Sequence, residues 1–202
     1  RYYRYKQILL EGRLRAKDRI RLTHEFHALL LNALGYPGDR PQYDELYHLE
    51  ETEVVPVRHI LYRGDNRPHL FVMEMQPLVK VGEEEPEGLF EQVYHRSQWD
   101  KVFEVPEGLH LTPSVVNDAI SALFLIEEHK RPQYILMLAG NELFLLQSEK
   151  WFKGSYLRFQ LEELFAEAGS RREYYSLFYF LLSKEALAPA SDIILMEQLD
   201  ED

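Results

Sequence analysis

The stretch "RPHLFVMEMQPL", Arg67 to Leu78, decides how this chain folds, and it carries a contradiction. Its centre reads as a β-strand of apolar residues, Leu70, Phe71, Val72, Met73 and Met75, interrupted by Glu74 and, two places on, Gln76. Side chains alternate across a strand, so Glu74 and Gln76 point to one face. Burying an unpaired carboxylate is expensive. The pair therefore lies at the solvent-facing mouth of a sheet or holds something in place.

Working outward, "VVPVRHILY" at 54–62 is also strand-like, and "RGDNR" between the two runs has turn chemistry, which predicts a hairpin. Upstream, Leu22, Phe26, Leu29, Leu30, Ala33 and Leu34 recur at helical spacing and predict one helix over 13–34, stopped by "GYPG" at 35–38. Downstream, "VKVGEEEPEG" at 79–88 reads as a surface loop and 113–129 as a second helix. "QYILMLAGNELFLLQ" at 133–147 is a second hairpin, tight around "AGN". "SYLRFQL" adds a strand before a short helix near 161–167, and "RREYYSLFYFLLS" at 171–183 is a last helix, aromatic on nearly all sides. Such a helix is usually buried against a further partner. The fold class that follows is α+β or α/β, with a mixed sheet of about five strands flanked by helices. The chain divides into a basic arm or helix start (1–21), a core (22–165) and a helical extension with exit linker (166–202).

The chain has 202 residues, 46% of them hydrophobic, which suffices for one sizeable core. The absence of cysteine excludes disulfides, thiolate metal sites and cysteine nucleophiles. No apolar run approaches the roughly 20 residues of a membrane span, and no secretory pattern is visible, so a cytoplasmic location without membrane contact is expected. The first residue is Arg1 rather than Met, which suggests a processed chain or a piece cut from a longer protein. The net charge of −11 is uneven. Residues 1–21 hold eight basic side chains against Glu11 and Asp18, a balance of +6, and the remainder carries −17. An acidic body is a poor solitary nucleic-acid binder, but Arg13, Arg15, Lys17, Arg19 and Arg21 would meet phosphate if DNA is a partner. The plainer alternative is a solvated helix face.

"THEFH" at 23–27 invites a zinc reading, but His24 and His27 are three apart where a metalloprotease helix needs four, so structural or surface histidines are expected. No phosphate-cradling glycine loop and no G-x-S-x-G elbow is present. Glu74 and Gln76 remain. A strand with an acid–x–polar pair, on a hairpin after a long helix, has the layout of the PD-(D/E)XK nucleases. There an acid from each hairpin strand holds a divalent cation, and a third residue, usually lysine, handles the attacking water. Mg²⁺ suits such a group because it is a hard ion that prefers oxygen ligands and activates water. Glutamine can orient water but cannot act as a base. The catalytic candidates are thus Glu74 and Gln76. The metal candidates are Glu74, Glu53 on a shifted first strand, and Glu25 from the helix. The register inferred from the turn places Val57 opposite Glu74 and Val55 opposite Gln76, so one acid of the expected pair is displaced or absent.

"YILMLAGNELFLLQSEKWFKGSYLRFQLEELF", Tyr134 to Phe165, resembles a segment of large bacterial restriction–modification proteins. In those type IIG-like and phage-defence proteins, a nuclease-like N-terminal region leads into an adenine-specific DNA methyltransferase. The resemblance rests on Gly140, Glu142, Trp151, Tyr156 to Phe159, Glu162 to Phe165 and Glu185 to Pro189, with "ALGYP" at 33–37 and "RPHLFVMEMQPL" as earlier elements. It covers roughly 22–190. It implies a restriction-endonuclease-like fold, a downstream methyltransferase domain, and contact with DNA through the full-length protein. This chain lacks the methylating motifs and cannot itself methylate. The departures at Val55, Val57 and Gln76 imply a degenerate nuclease acting in DNA positioning or domain docking. The alternatives are an active Mg²⁺-dependent endonuclease, or an interaction domain without a nucleic-acid role that uses its aromatic last helix.

Overall fold

The computed structural model describes residues 2–10, 14–37, 45–63, 66–77, 88–93, 106–111, 115–165 and 172–188. The loop expected at 79–88 (all but Gly88), Arg13, Pro113 and the tail from 189 lie outside them.

The fold is α+β. The Arg67–Leu78 stretch supplies its centre, strand β4 (Pro68–Met75), every residue of which is buried. β4 pairs in parallel with β6 (Tyr134–Ala139), from Leu70 opposite Tyr134 to Met75 opposite Ala139. A parallel pair needs a crossover, and α3 (Val116–Leu125) lies in that connection. β3 (His59–Tyr62) and β7 (Glu142–Gln147) flank the pair, and β8 (Leu157–Gln160) closes the mixed five-stranded sheet in the order β3-β4-β6-β7-β8.

Alternation along β4 sorts its side chains into two apolar clusters. Leu70 and Val72 join Leu136, Leu138, Leu143 and Leu145 beneath α1 (Tyr2–Leu10), α2 (Ala16–Ala33), α6 (Arg172–Leu182) and α7 (Lys184–Leu187). Phe71, Met73 and Met75 join Ile135, Met137 and Leu146 beneath α3. Each fully buried side chain of this kind stabilises the fold by about 1.5–3 kcal/mol, so two covered faces explain why the central strands read as continuous apolar runs. Glu74 belongs by alternation to the α2 face.

The first hairpin differs from expectation. The run 54–62 is not one strand. It bends at Arg58 into β2 (Glu53–Val57) and β3, which belong to different sheets. β2 joins β1 (Glu45–His48) and β5 (His110–Leu111) in a separate three-stranded sheet. β3 pairs with β4, His59 opposite Val72, and Arg58 donates its N–H to the Val72 carbonyl at 2.8 Å. Because strand faces alternate every residue, a one-residue bend exchanges them. Val55 and Val57 therefore enter the α3-side cluster, and Arg58, fully buried, turns toward Glu74.

The N-terminal basic segment contains a packed helix. Tyr2 and Tyr5 of α1 are buried, Tyr5 stacks on Phe26 with ring centroids 3.9 Å apart, and Tyr2 lies 4.9 Å from the Phe165 ring. α1 and α6, outside 22–165, thus pack into the same cluster as α2. α2 ends in a Schellman pattern: Tyr36 N–H reaches the Leu31 carbonyl and Gly35 N–H that of Asn32. The Tyr36 hydroxyl then donates to Leu182 O at 3.1 Å, and Lys184 N–H to Leu34 O at 2.8 Å, tying α2 to α6 and α7.

A buried carboxylate network as the candidate functional site

Glu74 is entirely buried, yet it is not unpaired. Its Oε2 accepts from His24 Nδ1 at 2.8 Å. Its Oε1 accepts from His27 Nδ1 at 2.9 Å and from Arg58 Nη1 at 2.7 Å. His24, His27 and Arg58 are each buried too. The contradiction in "RPHLFVMEMQPL" resolves accordingly: the carboxylate holds one helix and one strand bend to the sheet, through two imidazoles of α2 and one guanidinium at the β2–β3 bend.

The helix presents both histidines because its buried face is Thr23, His24, Phe26, His27, Leu31 and Leu34, repeating every three or four residues. Leu29 and Ala33, expected in the apolar stripe, face outward. Thr23 is satisfied locally, its hydroxyl donating to Arg19 O at 2.9 Å.

His27 has a second partner that fixes its proton. Gly140 N–H donates to His27 Nε2 at 2.8 Å. A backbone amide can only donate, so Nε2 must accept, and in a neutral ring the proton then sits on Nδ1, facing Glu74. Gly140 makes this contact from the two-residue loop between β6 and β7, with φ +64. A β-carbon there would lie 2.4 Å from Pro77 Cβ, so the loop packs too closely for any residue but glycine.

The electrostatics agree with this assignment. Burial lowers the His27 pKa from its ordinary 6.5, only partly opposed by Glu74, which keeps the ring neutral. For Glu74, burial alone would raise the pKa, but the charge and hydrogen bond of His24 and the contacts of His27 outweigh it and hold the carboxyl well below its ordinary 4.5. The Arg58 guanidinium at 2.7 Å acts in the same direction.

A pH dependence follows. His27 is depressed in the folded state, so below about pH 6.5 the unfolded chain binds a proton that the folded chain refuses, and stability falls with pH. Glu74 is depressed as well, so its contribution is intact above about pH 4.5 and is lost as pH falls further. Urea unfolding at successive pH values should show a plateau above 6.5, then a decline of up to about 1.4 kcal/mol per pH unit for each group titrating. A flat profile between 6.5 and 4.5 would contradict a neutral buried His27.

The sequence-predicted residues fare unevenly. Glu74 is central. Gln76 lies just past the end of β4, half-buried, and its Oε1 is buried without a hydrogen-bond partner among the described residues. Glu25 is exposed and bonded to Arg21 at 2.9 Å, directed away from the network because positions 24 and 27 occupy the buried face. Glu53 stands in the other sheet, paired with His110, on the far side of the Arg58 bend. Arg15, Lys17 and Arg21 are exposed and Arg19 half-buried around the start of α2. Arg58, His24 and His27 complete the site and are not among the site residues the sequence singles out. Of the two placements expected for the histidines, structural or surface, the structure has the structural one, since both are buried. The available signal was a lone arginine inside the apolar run "VVPVRHILY", and two histidines at the i, i+3 spacing of a buried helix face.

His24, His27 and Glu74 each offer one ligand atom, all within 4.8 Å of one another, the one group of this kind among the described residues, and such a group could hold a metal ion. Among the described residues no helix is long and apolar enough to cross a membrane. No protein-family model, curated protein or solved structure matches this chain.

Proposed function

We propose that this chain is a nuclease-like domain of a restriction–modification or phage-defence methyltransferase whose metal centre has become an internal ion network, and that it positions DNA or docks the downstream methyltransferase domain. The observation that supports this reading is Arg58. Where the PD-(D/E)XK layout brings an acid from the first hairpin strand beside the acid of the second, this chain brings a guanidinium, 2.7 Å from Glu74. Mg²⁺ prefers a shell of oxygens. One carboxylate, two imidazoles and a neighbouring cation do not suit it. A softer ion meets a different obstacle. The separations of 2.8 and 2.9 Å from Glu74 are hydrogen-bond lengths, whereas neighbouring ligand atoms around tetrahedral zinc stand about 3.3 Å apart, and His27 would have to give up Gly140.

Calorimetric titration of Mg²⁺ and of Mn²⁺ into the whole chain should give no stoichiometric binding. Saturable binding weakened in Gln76→Ala would sink the degenerate reading and favour a live endonuclease. A labelled DNA duplex should bind with strong salt dependence and be released by Arg15→Glu with Lys17→Glu.

One observation favours the interaction-domain alternative. On α6, Tyr175, Leu177, Tyr179 and Phe180 are each 45–52% exposed, an apolar face of the kind that marks a protein contact. Failure of the wild-type chain to retain DNA even at low salt would make this the better reading.

A further inference from the structure

At the end of the sheet opposite Glu74, three arginines line one groove of about 210 Å³. Arg63 and Arg67 flank the β3–β4 turn, held together by Arg63 N–H to Arg67 O at 2.9 Å, and Arg131 comes from the loop entering β6. We infer that this groove binds a phosphate-type oxyanion. The site lies about 20 Å from Glu74, six residues along β4 at roughly 3.3 Å each, and the inference does not rest on the nuclease-like reading.

Three features carry it. The first is charge. In a chain of net charge −11, the residues lining the groove include three arginines against Glu128 and Glu149, a local reversal of sign. The second is chemistry. A guanidinium presents a planar fork that matches two oxygens of a phosphate, and three forks from two loops can share its remaining oxygens. The third is rigidity. Gln133 N–H donates to His69 O at 2.9 Å and Ser148 N–H to Gln133 O at 3.0 Å, which fastens the β4, β6 and β7 sides of the groove to one another. Pro68 and Pro132 in its wall fix the backbone next to Arg67 and Arg131. Arg67 Nη1 lies 3.7 Å from Glu128 Oε1, whose side chain is 79% exposed, so water and salt screen that contact and a dianion can replace it.

The probe is inorganic pyrophosphate, titrated calorimetrically into the whole chain. One saturable site is expected, weakened about tenfold by Arg67→Gln and again by Arg131→Gln, and tightened a few-fold by Glu128→Gln. All three side chains are at the surface, so the variants should fold, which circular dichroism checks. Competition with a short DNA duplex separates the two sources of such an anion. Displacement of pyrophosphate assigns the groove to a phosphodiester backbone, and its persistence assigns it to a free phosphorylated compound. Absence of saturable binding, or equal binding in the Arg67→Gln/Arg131→Gln double variant, overturns the inference. Neither result depends on Arg15, Lys17 or metal binding, so it stands or falls apart from the proposed function.

Discussion

Replacing Glu74 with alanine is expected to destabilise the fold by about 3–5 kcal/mol, the range for removing one partner of a buried ion pair. The loss does not come from burial of the carboxylate, which is unfavourable in itself. It comes from what remains: a fully buried Arg58 guanidinium that has lost this carboxylate, and two imidazole N–H groups that lose their acceptor. Total stabilities are commonly 5–15 kcal/mol, so this variant could fail to fold. Glu74→Gln and Arg58→Met provide the graded test. Glutamine keeps the shape and one acceptor, and methionine keeps the apolar stem of Arg58 without its charge. A double-mutant cycle between them, read by urea unfolding, should give a favourable coupling of about 1–3 kcal/mol. Coupling near zero would mean that Arg58 and Glu74 do not meet.

Gly140→Ala has the second-largest expected effect, a destabilisation of about 2–4 kcal/mol, combining a left-handed backbone penalty with overpacking. The added methyl group would stand 2.4 Å from Pro77 Cβ and 3.3 Å from its Cα, so either the loop or the end of β4 must move. Movement of the loop also withdraws the amide that orients His27. Gly154→Ala is the matched control: its φ of +70 is similar, but nothing lies within 4 Å of the added carbon, so only the backbone penalty of about 1–2 kcal/mol remains. Equal losses in the two variants, compared by thermal and urea unfolding, would show that the 140 loop does not pack on Pro77.

The two glycine sites illustrate how far the sequence could be read. "AGN" between two apolar runs announces a tight hairpin, and the structure has it, but nothing local to that tripeptide says that its amide faces a histidine 113 residues earlier. The strands at 68–75, 134–139 and 142–147, and the helices around 116–125 and 172–182, were legible because periodicity is a local property. The helix α1 was missed because its apolar contacts, Tyr2 and Tyr5, are interleaved with charges that read as a basic arm.

The sequence by itself determined the fold class, the central strand, and the face to which Glu74 points. It also announced that a carboxylate in so apolar a strand needs partners. Who those partners are was decided only in three dimensions. One bend at Arg58 exchanges the faces of a strand, sending the valines expected beside Glu74 into the opposite layer and turning a guanidinium inward. No residue pattern records that bend, because it is set where β2 leaves one sheet and β3 enters another. The histidines, expected as structural or surface residues, became the carboxylate's hydrogen-bond donors once α2 was laid across β4. In a buried, apolar interior, a single charge gathers hydrogen-bond donors around it.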